Sequence, residues 1–401
     1  MNKFYLYFFS ILLFACSSNG ISQNNEKDDI KSSLPNPEDM SRDAKALAAE
    51  MFAGWNLGNS LEAYNNGALD SETSWGNPKT TKAMIDAVAN AGFNAIRIPV
   101  RWYPHFIDEA KAQVDEKWMN RVKEVVGYCL DNDMLVIINT HHETWLENYA
   151  FYKDSAEIYR KEYTLWTQIA NTFQNYDERL LFAGTNEVHV PDEWVRPAKA
   201  EENSKVQNGM NQVFVNAVRA TGGKNSLRNL IVQTYCTNSE WGPALFTMPT
   251  DPAKDRLMVE VHYYDPWSYT GTEDEIFWGK PYAAYGAGNG QEDAMQARFA
   301  MLKKQYVDHG YPVIVGECGG SRHSAVGEYA DLISESRGYY YQTLARITKN
   351  NGAIPFVWDN GALGDGPDKF ALFDRRDNMR IIDPLAVTGM MKGAREGKYP
   401  F

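Results

Sequence analysis

Cysteine is scarce in this chain, 4 among 401 residues, and one of them, Cys16, belongs to the N-terminal leader. The others, Cys129, Cys236 and Cys318, stand at unrelated spacings, which excludes a disulfide framework and a zinc knuckle. Two readings survive for them: small buried residues that pack well, or a single Cys236–Cys318 bridge. Blocks of basic residues are missing too. Lys and Arg number 40 against 52 Asp and Glu, a formal net charge of -12, and this acidic background without a basic stretch excludes a nucleic-acid partner. No P-loop occurs. The first strand-like run, Gly54-Trp55-Asn56-Leu57-Gly58-Asn59, leads into no glycine-rich phosphate fingerprint. The apolar run at 4–14 is too short to cross a bilayer.

What is present describes a globular domain with ample core, 44% hydrophobic and 23% charged. Aromatics make up 13%, with 11 Trp and 23 Tyr. Most serve the core, but the surplus suits a carbohydrate cleft, because sugar rings stack on flat amphipathic side chains. At the N-terminus Lys3, the apolar run and Leu13-Phe14-Ala15-Cys16 resemble a bacterial lipoprotein signal with its lipobox. On that resemblance residues 1–16 are the signal, Cys16 is the lipidated first residue of the mature chain, and 17–40 form a flexible polar tether. Within it Glu26-Lys27-Asp28-Asp29 is similar to the acidic tract that takes some Bacteroidetes lipoproteins to the outer surface. The expected location is therefore an outer-membrane lipoprotein at the cell surface or in the periplasm, held by its lipid alone; an ordinary secretory signal is the alternative.

From residue 41 to 401 short apolar runs alternate with amphipathic ones eight times. The runs are Phe52–Asn59, Ala95–Val100, Leu135–His142, Leu180–Glu187, Leu230–Tyr235, Leu257–Tyr264, Pro312–Cys318 and Ile354–Asp359. Helix-like segments such as Thr80–Ala91, Lys117–Asp131 and Ala156–Tyr176 separate them. Strand alternating with helix eight times predicts an α/β fold, a closed (β/α)8 TIM barrel forming a single catalytic domain, with a doubly wound open sheet as the competing architecture. The segment 265–291, rich in Trp, Tyr and Gly, is too long for an ordinary connection and reads as one wall of a cleft.

The polar residues fall into register on that scheme. Arg97 lies within the second run; His141 and His142 end the third, Asn186 and Glu187 the fourth, His262 and Tyr264 the sixth, Glu317 the seventh and Trp358 the eighth. In a barrel the ends of different strands converge on one mouth. Two glutamates there supply what breaking a glycosidic bond requires, an acid for the leaving oxygen and a carboxylate for the anomeric carbon. A strand-end glutamate alone caps a helix or pairs with an arginine as readily as it acts on a substrate, and a strand tryptophan is more often core than platform.

The motifs Gly54-Trp55-Asn56-Leu57-Gly58-Asn59, Glu72-Thr-Ser-Trp75-Gly-Asn-Pro78, Ile96-Arg97-Ile98-Pro99-Val100, His141-His142, Asn186-Glu187, His262-x-Tyr264, Gly316-Glu317 and Trp358-Asp-Asn-Gly361 together resemble glycoside hydrolase family 5, and within it the endo-β-1,4-glucanase subfamily 4. The resemblance implies Glu187 as acid/base and Glu317 as nucleophile of a retaining double displacement, with Arg97 and Tyr264 donating to the nucleophile. It implies Asn186 at the sugar 2-hydroxyl, His141 and His262 as the active-site histidines, and Trp358 as the platform under the reacting sugar. His142, Trp145, Trp267 and Trp278 are candidates for neighbouring subsites. Glu317, with Arg97 and Tyr264 beside it, is expected ionised, and Glu187, nearer His262, which helps set its protonation, and less well supplied with cations, protonated in the resting enzyme. No cofactor or metal is implied, and the chain is expected to be a monomer acting on a polysaccharide. The family usually has proline after its acid/base where this chain has Val188, which puts the shape of the loop 188–200 in question.

Three rival readings stay open on the sequence. The same machinery serves mannan or xylan, since the catalytic pair does not select the backbone. A dead barrel could bind surface glycans, although both glutamates are kept. His141-His142-Glu143 with His189 could suggest a metal site, but the first run offers no His-x-His.

Overall fold

The structure is a computed structural model that describes residues 40–65, 72–143, 145, 151–189, 198–325 and 327–401, with main chain alone at 151–154. Eight parallel strands close a barrel: β1 (Gly54–Asn56), β2 (Ala95–Ile98), β3 (Leu135–Asn139), β4 (Leu180–Ala183), β5 (Leu230–Asn238), β6 (Leu257–Tyr263), β7 (Val313–Cys318) and β8 (Ala353–Val357). Each strand pairs with its neighbour in sequence, and Gly54 pairs with both Ala95 and Phe356, which closes the circle. That closure rules out the open sheet. The helices around it are α1 (Ala44–Glu50), α2 (Lys82–Asn90), α3 (Glu116–Leu130), α4 (Phe151–Thr172), α5 (Ala200–Ala220), α6 (Gln291–Gln305), α7 (Ala330–Asn350) and α8 (Pro384–Glu396), with shorter turns between. Side chains of Asp43, Thr81, Asp115 and Asp383 accept backbone N–H groups at the starts of α1, α2, α3 and α8, which explains where those helices begin.

The period-two alternation of the strands sorts their residues between two cores. Ile96, Ile98, Val136, Ile138, Val232, Val259, Val261, Val313 and Val315 belong to the large cluster beneath the helices. Ala95, Ile137, Ile231, Met258, Ile314, Ile354 and Phe356 form a second cluster with Ala44, Leu47, Ala48 and Met51 of α1. Helix α1 therefore plugs the N-terminal end of the barrel, leaving chemistry to the other end. Gly54 has to be glycine here, because a Cβ would lie 2.4 Å from the Phe356 ring.

The expected leader and the tether up to residue 39, Cys16 included, and residues 190–197 of the loop after β4 lie outside the described residues, whereas Met40, expected at the tether's end, is buried and its carbonyl accepts from Arg256 at 2.8 Å. Cys129, Cys236 and Cys318 are all buried and none is in a disulfide, so the packing reading holds and the Cys236–Cys318 bridge does not form.

Candidate active site

Two residues further along the same strand faces, the apolar plug gives way to a polar layer. Asn56 follows Gly54, Arg97 follows Ala95, Asn139 follows Ile137, Gln233 follows Ile231, and Glu260 follows Met258; all five are fully buried. Buried polar groups are tolerated only when partnered; Asn139 accepts from Val100 N at 3.1 Å and faces His141 Nδ1 at 3.2 Å, and the other four form one network. Arg97 donates from Nη1 to Asn56 Oδ1 at 3.0 Å and to Glu317 Oε1 at 3.0 Å, and from Nη2 to Asn186 Oδ1 at 2.7 Å. Its Nε lies 2.9 Å from Glu260 Oε1. Gln233 Nε2 donates to the other Glu260 oxygen at 2.7 Å.

One step higher stand the two strand-end glutamates and their partners. Glu317 ends β7 opposite His262 of β6, and its second oxygen accepts from the Tyr264 hydroxyl at 3.2 Å. His262 Nδ1 is 2.7 Å from Glu187 Oε1 and 3.7 Å from Glu317 Oε2, while its Nε2 is 3.4 Å from Glu260 Oε1. Glu187, Glu317 and His262 each bring one ligand-capable atom within 4.8 Å of the others. Asn186, its carbonyl oxygen taken by Arg97, turns its amide nitrogen to His141 Nε2 at 3.2 Å. His141 in turn lies parallel to Trp358, ring centroids 6.2 Å apart. Gly58 makes room for that tryptophan, since a Cβ would sit 2.9 Å from its ring.

Burial opposes protonation of His262, but the carboxylates of Glu317, Glu187 and Glu260 outweigh it and lift the imidazole to about 9. Burial also raises the Glu317 carboxyl, and Glu187 and Glu260 add to this against His262 and Arg97. Glu187 is held low despite its burial because His262 bonds to it. The expected neighbour His262 is in place, but the expectation of a protonated resting Glu187 carboxyl is corrected, since that imidazole holds the carboxylate low. Glu187 and His262 share one proton, and the two forms of the pair, carboxylate with imidazolium or carboxyl with imidazole, differ by a shift along one 2.7 Å hydrogen bond. His141 is driven well below its usual range, by burial first and then by His142 and Arg97, and stays neutral. A metal at these ligand atoms would compete with the proton that the carboxylates hold on His262, so the cluster suits proton transfer.

The walls of the mouth are aromatic. Trp75 and Tyr64, each 38% exposed, stand edge to face at 5.2 Å, and Trp75 reaches the His142 ring at 5.6 Å. With His141 and Trp358 these rings run outward from the reacting groups on the β1–β3 side. Glu72, three residues before Trp75 in the same motif, anchors that wall: its carboxylate pairs with Arg121 of α3 at 2.8 Å and accepts from Thr80 N. On the other side a cavity of about 150 Å³ is lined by Glu187, Cys236, Asn238, His262, Asp265 and Arg298. Trp267, 54% exposed, meets Tyr264 edge to face at 6.2 Å and borders the cleft.

The model of the cellulase family, glycosyl hydrolase family 5, matches residues 61–364. The chain belongs to glycoside hydrolase family 5. It is 40% identical over 358 residues to the xyloglucan-specific endo-β-1,4-glucanase of Bacteroides ovatus, covering 86% of this chain and 69% of that one. A xyloglucan-specific β-1,4-glucanase from a ruminal metagenomic library, solved with a bound oligosaccharide, superposes with a TM-score of 0.82 at 37% identity, over 90% of this chain and 98% of that one. A GH5-4 broad-specificity endoglucanase of Bacteroides salanitronis does so with a TM-score of 0.81 at 37% identity, over 88% and 96%.

Within this family 5 barrel the geometry brings together Arg97, His141, Asn186, Glu187, His262, Tyr264, Glu317 and Trp358, with His142 and Trp267 alongside. Two of the expected subsite residues stand elsewhere. Trp278 is fully buried against Tyr339 and Tyr340, so it is core and touches no substrate. Trp145 is buried as well and donates to Glu143 at 2.8 Å; that carboxyl also accepts from the backbone of Trp102 and Tyr103, tying the β3 loop to the β2 loop. Val188 uses the N–H that proline would lack, donating to Asn186 O at 2.9 Å, and its carbonyl accepts from Cys236 at 3.1 Å. Glu260 escaped the sequence reading, as did Tyr64 and Trp75 as wall residues. Period two was the available signal for Glu260, since it shares a strand face with His262.

Proposed function

We propose that the protein is a retaining endo-β-1,4-glucanase, acting as a monomer on β-1,4-glucan backbones, xyloglucan and mixed-linkage glucan among them, with Glu187 as acid/base and Glu317 as nucleophile. One observation carries the mechanism. One oxygen of each carboxylate lies within 4.8 Å of the other, which fits the close pair of a retaining enzyme better than the gap of about 6.5–9.5 Å that an inverting enzyme opens for a water beside the sugar. The Glu317 carboxylate attacks the anomeric carbon, the glycosidic C–O bond breaks, and its electrons take the proton of the Glu187–His262 pair. Water then attacks the same carbon, returns a proton to Glu187, and frees Glu317. Asn186 is placed for the 2-hydroxyl, where hydrogen bonds strengthen in the transition state. The leader supports a lipid tether at Cys16, and with it an outer-membrane location.

The test sizes products from carboxymethylcellulose, mixed-linkage glucan, xyloglucan, glucomannan, mannan and xylan and follows their anomeric configuration. Internal cuts in the glucans with retention are expected. Glu317→Ala should abolish turnover, whereas Glu187→Ala should spare the first step on a substrate with an activated aryl leaving group and regain the second with azide. Activity confined to mannan or xylan, or an inverted first product, overturns the proposal.

A further inference from the structure

The polar layer contains a third carboxylate that the double displacement does not use. Glu260 is fully buried, stands within 2.9 Å of Arg97 Nε and 3.4 Å of His262 Nε2, and is gripped from its far side by Gln233. The chain makes room for it: a Cβ at Gly316 would lie 1.9 Å from Glu260 Oε1. Its contacts are the back of the two cations whose fronts face the reacting pair. Arg97 presents Nε to Glu260 and Nη1 to Glu317; His262 presents Nε2 to Glu260 and Nδ1 to Glu187.

We propose that Glu260 is a positioning residue that sets the pH window of catalysis, by keeping Arg97 aimed at Glu317 and holding His262 as the proton-bearing partner of Glu187. This rests on the roles given to Glu187 and Glu317 above. Every charged group facing His262 enters the balance: Glu187 from the end of β4, Glu317 from β7, Arg97 from β2, and Glu260 from its own strand, with neutral His141 from β3 and the Tyr264 hydroxyl nearby. Two cations and three carboxylates leave one negative charge. In that state Glu317 is ionised and the Glu187–His262 pair carries the acid proton. A further proton on Glu317 closes the window on the acid side, and loss of the proton from His262 closes it on the alkaline side, near 9. The Glu260 charge raises both groups, so its removal moves both limbs the same way.

In Glu260→Gln the bell of kcat/KM against pH should shift to lower pH on both limbs, by about one unit or more for the loss of one charge at this distance. Long-range 1H–15N spectra, with His262 identified by its loss in His262→Ala, should show its titration falling by the same amount without any substrate. A lower rate with unmoved limbs and an unmoved His262 titration makes Glu260 a structural counterion only and overturns the proposal. Should Glu260→Gln not fold, Glu260→Asp, whose shorter side chain draws the charge back from Arg97 and His262, carries the same test through a smaller shift in the same direction. A wild-type chain inactive on glucans would sink the functional reading, whereas the His262 titration reads Glu260 on its own.

Discussion

Replacing Arg97 by methionine removes one of the two cations from the buried layer while keeping much of the side-chain volume. In the wild type its guanidinium serves Asn56, Asn186, Glu317 and Glu260 at 2.7–3.0 Å. The variant leaves Glu260 and Glu317 facing His262 alone. Removing one partner of a buried ion pair typically costs about 3–5 kcal/mol, most of it from the charge left behind. The pH dependence identifies the cause. Wild-type Glu260 is held below its ordinary range by Arg97, then His262 and Gln233, although burial opposes this; its contribution is present above the unfolded carboxyl pKa and lost as pH falls through the folded one. In Arg97→Met the same carboxyl should be raised, so the variant's penalty is greatest at neutral pH and relieved as the pH drops towards 5. Urea unfolding followed by tryptophan fluorescence at pH 7.5 and pH 5 measures this through the shift in midpoint. A penalty under about 1 kcal/mol at pH 7.5, or one that does not shrink at pH 5, would refute charge balance as what holds the layer together.

Two further outcomes are expected. Trp75→Ala should raise KM for long cello-oligosaccharides about 5-fold to 10-fold, as one lost stacking contact implies, with kcat within about twofold; an equal loss on a short aryl glycoside would place Trp75 outside the outer subsites. In a lipoprotein-making bacterium, Cys16→Ser should move the full-length product from the detergent phase to the aqueous phase, and equal partitioning of both forms would count against the anchor.

The eight strands were legible because a barrel strand buried on both faces is mostly apolar, and most rim residues were legible because they stood where such a run stopped, whereas Arg97, Gln233 and Glu260 interrupt theirs. The runs overshoot the hydrogen-bonded ladders at their ends. Leu180–Glu187 reads as one strand, yet only Leu180–Ala183 is β-structure, because the chain from Gly184 leaves the ladder to carry Asn186 and Glu187 to the mouth. Trp278 shows the opposite limit. It lies in a loop crowded with aromatic residues, where composition announces rings without saying which of them face inward, and only the packing against Tyr339 and Tyr340 decides. Protonation was the least legible property, since it depends on distances between residues far apart in sequence. The resemblance put His262 beside Glu187, but which of the two holds the proton depends on the three carboxylates that surround the imidazole at 2.7–3.7 Å.

The Gly316-Glu317 motif makes the same point at the level of one glycine. In sequence the glycine reads as backbone freedom beside a catalytic acid. In the barrel its φ is not in the left-handed region, and the residue is small for another reason: the space of its missing side chain is filled by the Glu260 carboxylate of the adjacent strand. A motif on β7 is thus the imprint of a charge on β6, and that charge reaches Glu317 through Arg97 on β2 and Glu187 through His262. Local patterning alone misses such a residue, because its partners are spread over the barrel. Alternation finds it once the strand is placed, since a charged residue two positions before a rim histidine on the same face has nowhere to point except into the layer beneath the site.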